Sequence, residues 1–233
     1  MIDEIASRTV ALIGEEAYER LKRSFVVVAG LGGVGGYVSE ALARAGTGRL
    51  LLVDSDRIAP SNLNRQILAR SDNIGVLKTE AAKQRIESIA PYCRVETVNE
   101  FILPDNISAL MPSGADAIAD CIDTVSAKIG LAKYAEEKGI YIVSSMGTGN
   151  KTDPFLFRLA DIYETQGCPL ARVMRRELKR QGVKGLKTVY SPETPSASGQ
   201  KERIPASISY MPGIAGLMVA GEIIRHICRC SEN

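Results

Sequence analysis

Residues 25–35 read F-V-V-V-A-G-L-G-G-V-G. Five apolar residues bounded by glycine fit a buried strand, and the glycine spacing behind them fits a tight turn from strand into helix. Backbone N–H groups come close to phosphates only where no side chain intervenes, and Gly30, Gly32, Gly33 and Gly35 leave the turn bare. Gly32 gives a ligand room, and Gly35 lets the next helix lie against its strand. That helix opens near Gly33, so its amides and dipole face a polyphosphate. Asp54 stands where a nucleotide-binding fold wants a carboxylate. The motif alone does not separate NAD from ATP.

Short apolar runs alternate with amphipathic stretches through the first half. Strands are expected at 25–29, 49–53, 95–98, 117–121 and 141–144. Val34, Val38, Ala41, Leu42 and Ala45 recur at helical spacing, and Gly46 and Gly48 stop that helix. Further helices are expected at 78–90, ended by Pro91, and at 126–137, ended by Gly139. This alternation predicts a Rossmann-like α/β fold, a doubly wound and mostly parallel sheet with its ligand at the carboxyl ends of the strands. A short helix at 15–23 precedes it, behind an arm containing Ser7-Arg8-Thr9. Beyond it come a loop at 147–154, a strand at 155–160 and a strongly helical stretch at 170–181. The stretch 191–207 holds three prolines and four serines and reads as a mobile loop. The expected organisation is one domain over 1–233: arm and helix at 1–24, nucleotide-binding core at 25–145, and at 146–233 a substrate-side extension with a basic helix, the loop and a C-terminal helix.

Composition bounds the function. With 233 residues, 45% hydrophobic and 24% charged, the chain is of ordinary globular make-up. A net charge of +2 is too small to require a polyanionic partner, so any such partner must be met by a local cluster. Five irregularly spaced cysteines without a secretory leader predict reduced thiols in the cytoplasm. Residues 211–224 are apolar apart from Glu222 but shorter than the ~20 residues a spanning helix needs. They read as a buried C-terminal helix without stable membrane insertion, a candidate subunit interface, with peripheral membrane contact as the lesser alternative.

The discriminating residues lie past the second strand. Asp54-Ser55-Asp56 is followed by Ser61-Asn62-Leu63-Asn64-Arg65-Gln66, and then by Lys78 at a helix start. A dehydrogenase has no evident use for this arginine and lysine, whereas the β- and γ-phosphates of ATP carry charge that both neutralise. Asp123, in Cys121-Ile122-Asp123 after the fourth strand, is placed to hold Mg²⁺ among phosphate oxygens. These five elements in order, over roughly residues 8–145, resemble the adenylation domain of ubiquitin-activating-enzyme-like (ThiF-type) proteins. The resemblance implies attack of a substrate carboxylate on the α-phosphate of ATP, giving an acyl adenylate and pyrophosphate. By the same resemblance Asp54, Asp56 and Ile122 belong to the nucleotide site with the glycines, Asp54 binding the ribose. Asn62, Arg65, Gln66 and Lys78 would hold phosphates, Asp123 would bind Mg²⁺, and Arg8 would reach the triphosphate of a partner subunit in a homodimer.

The second half chooses the branch. Sulfur-carrier adenylyltransferases usually carry two C-x-x-C pairs for zinc, and Cys93, Cys121, Cys168, Cys228 and Cys230 contain none, so no zinc is expected. Cys168, in Gly167-Cys168-Pro169-Leu170, sits at a helix N-terminus without a sequence-near base and reads as structural. Arg172, Arg175, Arg176, Lys179, Arg180, Lys184 and Lys187 stand against one acid, Glu177, while Leu170, Met174 and Leu178 form an apolar stripe. An outward basic stripe of this kind fits a nucleic-acid backbone. Together with Ser144-Ser145-Met146-Gly147-Thr148-Gly149, Asp153-Pro154 and Cys168-Pro169-Leu170-Ala171, it resembles the tRNA threonylcarbamoyladenosine dehydratases. That resemblance implies ATP-dependent cyclisation of the modified adenosine in tRNA. The alternative is an adenylyltransferase for a ubiquitin-like sulfur carrier, with sulfur-transfer partner proteins. A third reading, an NAD-dependent oxidoreductase or nucleotide sensor, leaves Arg65, Lys78 and Asp123 without a task.

Overall fold

The computed structural model describes residues 2–195 and 205–229. Its elements in order are α1 (Ile2–Ile13), α2 (Glu15–Arg23), β1 (Phe25–Ala29), α3 (Gly35–Ala45), β2 (Arg49–Val53), α4 (Lys78–Ile89), β3 (Arg94–Val98), α5 (Ile107–Leu110), β4 (Ala117–Asp120), α6 (Val125–Lys138), β5 (Tyr141–Ser145), β6 (Arg158–Asp161), α7 (Pro169–Arg180), β7 (Lys187–Tyr190) and α8 (Tyr210–Arg229). The strands form one sheet in the order β3-β2-β1-β4-β5-β7-β6, parallel throughout except for β6, which runs antiparallel to β7. Val27 faces Leu51 on one side and Ile118 on the other.

Because side chains alternate along a strand, each apolar run feeds two cores. Val26, Val28, Leu50 and Leu52 pack with Val38, Leu42, Ile86, Val219 and Ile223, on the face covered by α3, α4 and α8. Val27, Leu51, Val53 and Ile118 pack with Ile107, Leu131 and Tyr134, on the face covered by α5 and α6. A third cluster, including Ile129, Met146, Met174 and Leu178, seats α7 against α6. Truncating any of the fully buried leucines costs about 2–5 kcal/mol, so the sheet and its helices form a rigid frame for the strand ends.

Four expectations need correction. The arm around Arg8 is helical, because Ala6, Val10 and Ile13 recur at helical spacing and Ala6 is buried. The strand expected at 155–160 begins later, since Asp153 accepts a hydrogen bond from the Phe155 amide and closes the turn Pro154–Leu156 before β6. β4 ends at Asp120, one residue early. β7 had no counterpart in the sequence reading: its four residues lie behind a basic run and ahead of Ser191-Pro192, yet Thr188, Val189 and Tyr190 are buried between β5 and β6. The loop expected at 191–207 falls largely on residues 196–204, outside the described residues.

α8 is the one described helix long and apolar enough to cross a membrane, at 20 residues and a mean hydropathy of 1.2. Half of that window is buried within the fold. Met211, Ala215, Val219 and Ile223 form its inner face. Gly216 lets it approach α3 so closely that a Cβ there would lie 2.5 Å from the Val34 carbonyl oxygen.

Candidate active site

A cleft of about 480 Å³ opens at the carboxyl ends of β1, β2, β4 and β5. Its floor is the glycine turn. Gly30, at φ +87°, has the Ile122 side chain and the Cys121 carbonyl against the position of a Cβ. A Cβ on Gly35 would lie 1.8 Å from the Gly30 carbonyl oxygen, so only glycine lets α3 start this close to β1. Gly32 faces open space, as a backbone that receives a ligand must. Gly30, Gly32 and Gly33 line the cleft, and Gly35 lies behind them.

Asp54, at the end of β2, spans the turn. Its Oδ2 accepts from the Leu31 amide at 2.6 Å and its Oδ1 from the Asp56 amide at 2.7 Å. Burial pushes its carboxyl above the ordinary range, against the opposing pull of Lys78 and the two amides. Asp56 holds Lys78, with Nζ 2.6 Å from Oδ2. Lys78 is 7% exposed and Asp56 62%, so the ammonium is fixed at the cleft wall by a partner that water reaches. Asn62 caps its own turn by accepting from the Ala59 amide, while Arg65 donates to the Ser61 carbonyl and the Asn64 side chain. Gln66 is buried, and its Oε1 has no hydrogen-bond partner among the described residues. An orphaned acceptor at a cleft wall suits a ligand hydroxyl or water.

Asp123, just past β4, is exposed and among the described residues meets only the Thr124 hydroxyl, at 3.5 Å. Of the four cleft carboxylates, Asp123 and Glu100 are the two free of both cation and amide partners among the described residues. No group of three or more His, Cys, Asp or Glu side chains among the described residues could hold a metal alone. Mg²⁺ that arrives with a nucleotide takes phosphate oxygens and waters with one or two carboxylates, so this donor set fits it.

The structure thus gathers Asp54, Asp56, Asn62, Arg65, Gln66, Lys78, Ile122 and Asp123 around one cleft. Arg8 is exposed on α1 and does not line it. Along α7, Arg172, Arg176, Lys179 and Arg180 are exposed, with Arg176 and Arg180 both paired to Glu177 at 2.9 and 2.7 Å. Arg175 departs from the outward set: it turns inward and donates to the Thr165 carbonyl and hydroxyl. Leu170, in the first turn of α7, lines the cleft, so the basic helix starts at its rim. Cys168 is buried at the N-cap of α7, outside the lining.

Sequence reading missed two sets. Glu100, Phe101 and Ile102 line the cleft beyond β3 and carry no local signal. Behind the wall, Asp120 and Lys128 form a fully buried ion pair. A lysine between Ala127 and Ile129 on the inner side of a helix was the available clue.

The ThiF family pattern matches residues 6–233. The chain is 37% identical to the tRNA threonylcarbamoyladenosine dehydratase of Bacillus subtilis, over 97% of this chain and 95% of that protein. It is likewise 37% identical to the Escherichia coli enzyme of the same name, over 79% of this chain and 72% of that protein. The crystal structure of the E. coli tRNA N6-threonylcarbamoyladenosine dehydratase in complex with ATP superposes with a TM-score of 0.90 at 32% identity, covering 97% of this chain and 94% of that one. The fold, the cleft and these relatives agree, and the chain belongs to the ThiF family.

Proposed function

We propose that this protein uses ATP to dehydrate and cyclise N6-threonylcarbamoyladenosine in tRNA, releasing AMP and pyrophosphate. The observation that carries the proposal is the meeting of the bare glycine turn with Arg65, Lys78 and Asp123 in one cleft, at whose rim a basic helix begins. The relatives named for this reaction support it. The threonyl carboxylate attacks the α-phosphorus, and the bond to the bridging oxygen of pyrophosphate breaks. A nucleophile within the modified base then closes the ring and expels AMP, so no enzyme cysteine is required. Arg65 and Lys78 offset the charge that gathers on the leaving pyrophosphate. Asp123 would hold Mg²⁺, which supplies charge neutralisation at the phosphates when bound. Asp54 would accept from a ribose hydroxyl, and Gln66, whose buried Oε1 lacks a partner among the described residues, would contact the nucleotide from the cleft wall.

The exposed cations of α7 favour an RNA over the C-terminus of a carrier protein, with Arg172 and Lys179 the two that bear no acidic partner among the described residues. A homodimer that brings Arg8 to the partner's cleft, and a cytoplasmic location, belong to the same reading. The test is incubation with ATP, Mg²⁺ and either modified tRNA or a ubiquitin-like carrier, with AMP and the nucleoside mass as readouts. AMP with loss of water from the nucleoside is expected with tRNA. AMP formed only with the carrier overturns the reading.

A further inference from the structure

Lys128 and Asp120 are both 0% exposed, and the Nζ lies 2.9 Å from Oδ2. The ammonium also donates to the carbonyls of Ile122, at 3.1 Å, and Ser145, at 2.9 Å, so its three donors have three acceptors. Asp120 in turn accepts from the Ser144 hydroxyl at 2.6 Å and from the Ile122 amide at 3.4 Å. Asp120 and Ser144 face each other across the paired strands β4 and β5. None of Asp120, Lys128 and Ser144 lines the cleft, whereas Ile122, Asp123, Ser145 and Met146 do.

A buried ion pair is a poor way to gain stability, because desolvation offsets most of the attraction and an apolar pair of equal volume often does as well. What it provides here is geometry. Ile122 lies in the loop past β4 and Ser145 is the last residue of β5, so one ammonium ties together the two neighbouring chain segments that form this part of the wall. We propose that Lys128, fixed by Asp120 and Ser144, is a positioning residue for adenylation: it sets the Ile122–Asp123 loop against the end of β5 and so aims Asp123 at the metal-bound phosphates. This rests on the ATP reading of the cleft but does not depend on which carboxylate is activated.

The test compares full-length wild type, Lys128→Met and Ser144→Ala by thermal unfolding, by calorimetric titration with ATP in Mg²⁺ and in EDTA, and by AMP release with modified tRNA, each below its melting temperature. Lys128→Met is expected to release AMP about 100-fold more slowly at saturating ATP, the scale of a misplacement of about 1 Å at a reacting centre. It should also bind Mg²⁺·ATP about tenfold more weakly while binding metal-free ATP like the wild type, since Arg65, Lys78 and the glycine turn are untouched. Ser144→Ala, which keeps both charges, should lose about tenfold in AMP release, as removal of a supporting hydrogen bond does. Equal weakening of metal-free and Mg²⁺-bound ATP would make the role one of general folding and overturn the proposal. So would unchanged Mg²⁺·ATP affinity and kcat in folded Lys128→Met, or in Ser144→Ala should Lys128→Met not fold. A wild type that releases no AMP with tRNA refutes the RNA substrate alone, and the calorimetric comparison then decides the role of Lys128.

Discussion

Replacing Lys78 by Met separates the chemistry of the cleft from its stability. The lysine stem is buried and Met preserves most of its packing, so the change deletes a charge and little volume. Its ion-pair partner Asp56 is 62% exposed and returns to water without penalty. The pair therefore contributes under about 1 kcal/mol to folding, which for a chain of this size lowers the melting temperature by no more than about 4 °C. The effect on reaction is larger. A unit charge about 4 Å from a phosphate oxygen at an effective dielectric near 20 interacts by about 4 kcal/mol. Loss of a preorganised charge-stabilising donor typically lowers kcat about 100- to 1000-fold. Lys78→Met should accordingly fold almost as the wild type and release AMP at least about 100-fold more slowly at saturating ATP. AMP is quantified by chromatography across an ATP series, with thermal unfolding on the same samples. A kcat within threefold of wild type, or a loss of activity that tracks a loss of folded protein, refutes the assignment of Lys78 to the phosphates.

Gly35→Ala puts a methyl carbon 1.8 Å from the Gly30 carbonyl oxygen, so α3 must shift off β1; a stability loss of about 3 kcal/mol is expected by denaturant titration, and one under about 1 kcal/mol counts against the close-approach argument. Replacing Arg172 and Lys179 by Glu should weaken tRNA binding, flatten the logarithmic salt dependence by about two contacts' worth and leave ATP affinity intact. An unchanged salt slope removes α7 from the RNA interface. Arg175→Ala instead breaks the bonds to Thr165 and should lower the melting temperature, with little effect on the salt slope. Asp54 has its folded pKa raised by burial, so its contribution to stability is present below the unfolded value and lost as pH rises through the folded one. Asp54→Asn should therefore gain on the wild type in melting temperature as pH rises from 4 to 7 while losing ATP affinity; parallel pH profiles for the two proteins contradict this.

The readable parts of the chain were those in which neighbours in sequence are neighbours in space. The run 25–29, the glycine turn and the helical spacing from Val34 to Ala45 are one strand–turn–helix, and each residue's task follows from local geometry. Arg65, Lys78 and Asp123 were legible for another reason, since strand ends of a parallel sheet converge on one edge whatever the loops between them do. β7 was not legible: its place comes from β5 on one side and β6 on the other, and four residues carry too little pattern to announce that. Arg175 looked equivalent to its neighbours because helical spacing does not reveal that Thr165, ten residues earlier, folds back beneath it. Glu100, Phe101 and Ile102 owe their positions at the cleft wall wholly to tertiary packing.

Two lysines at this edge of the sheet show how burial sorts charge into different tasks. Lys78 and Lys128 each pair with an aspartate at under 3 Å. The partner of Lys78 is open to water, so an incoming phosphate can share or take over that ammonium at small cost, and the cation remains available to ligand. The partner of Lys128 is sealed, and the ammonium has no donor left to offer. Breaking that arrangement would leave an uncompensated charge in the interior, at about 3–5 kcal/mol, which makes it a fixed strut. A cleft that must release pyrophosphate needs the first kind of cation on its surface and benefits from the second kind behind it. Exposure of the partner carboxylate therefore predicts that neutralising Lys78 acts on the chemistry, and neutralising Lys128 on the geometry in which the chemistry occurs.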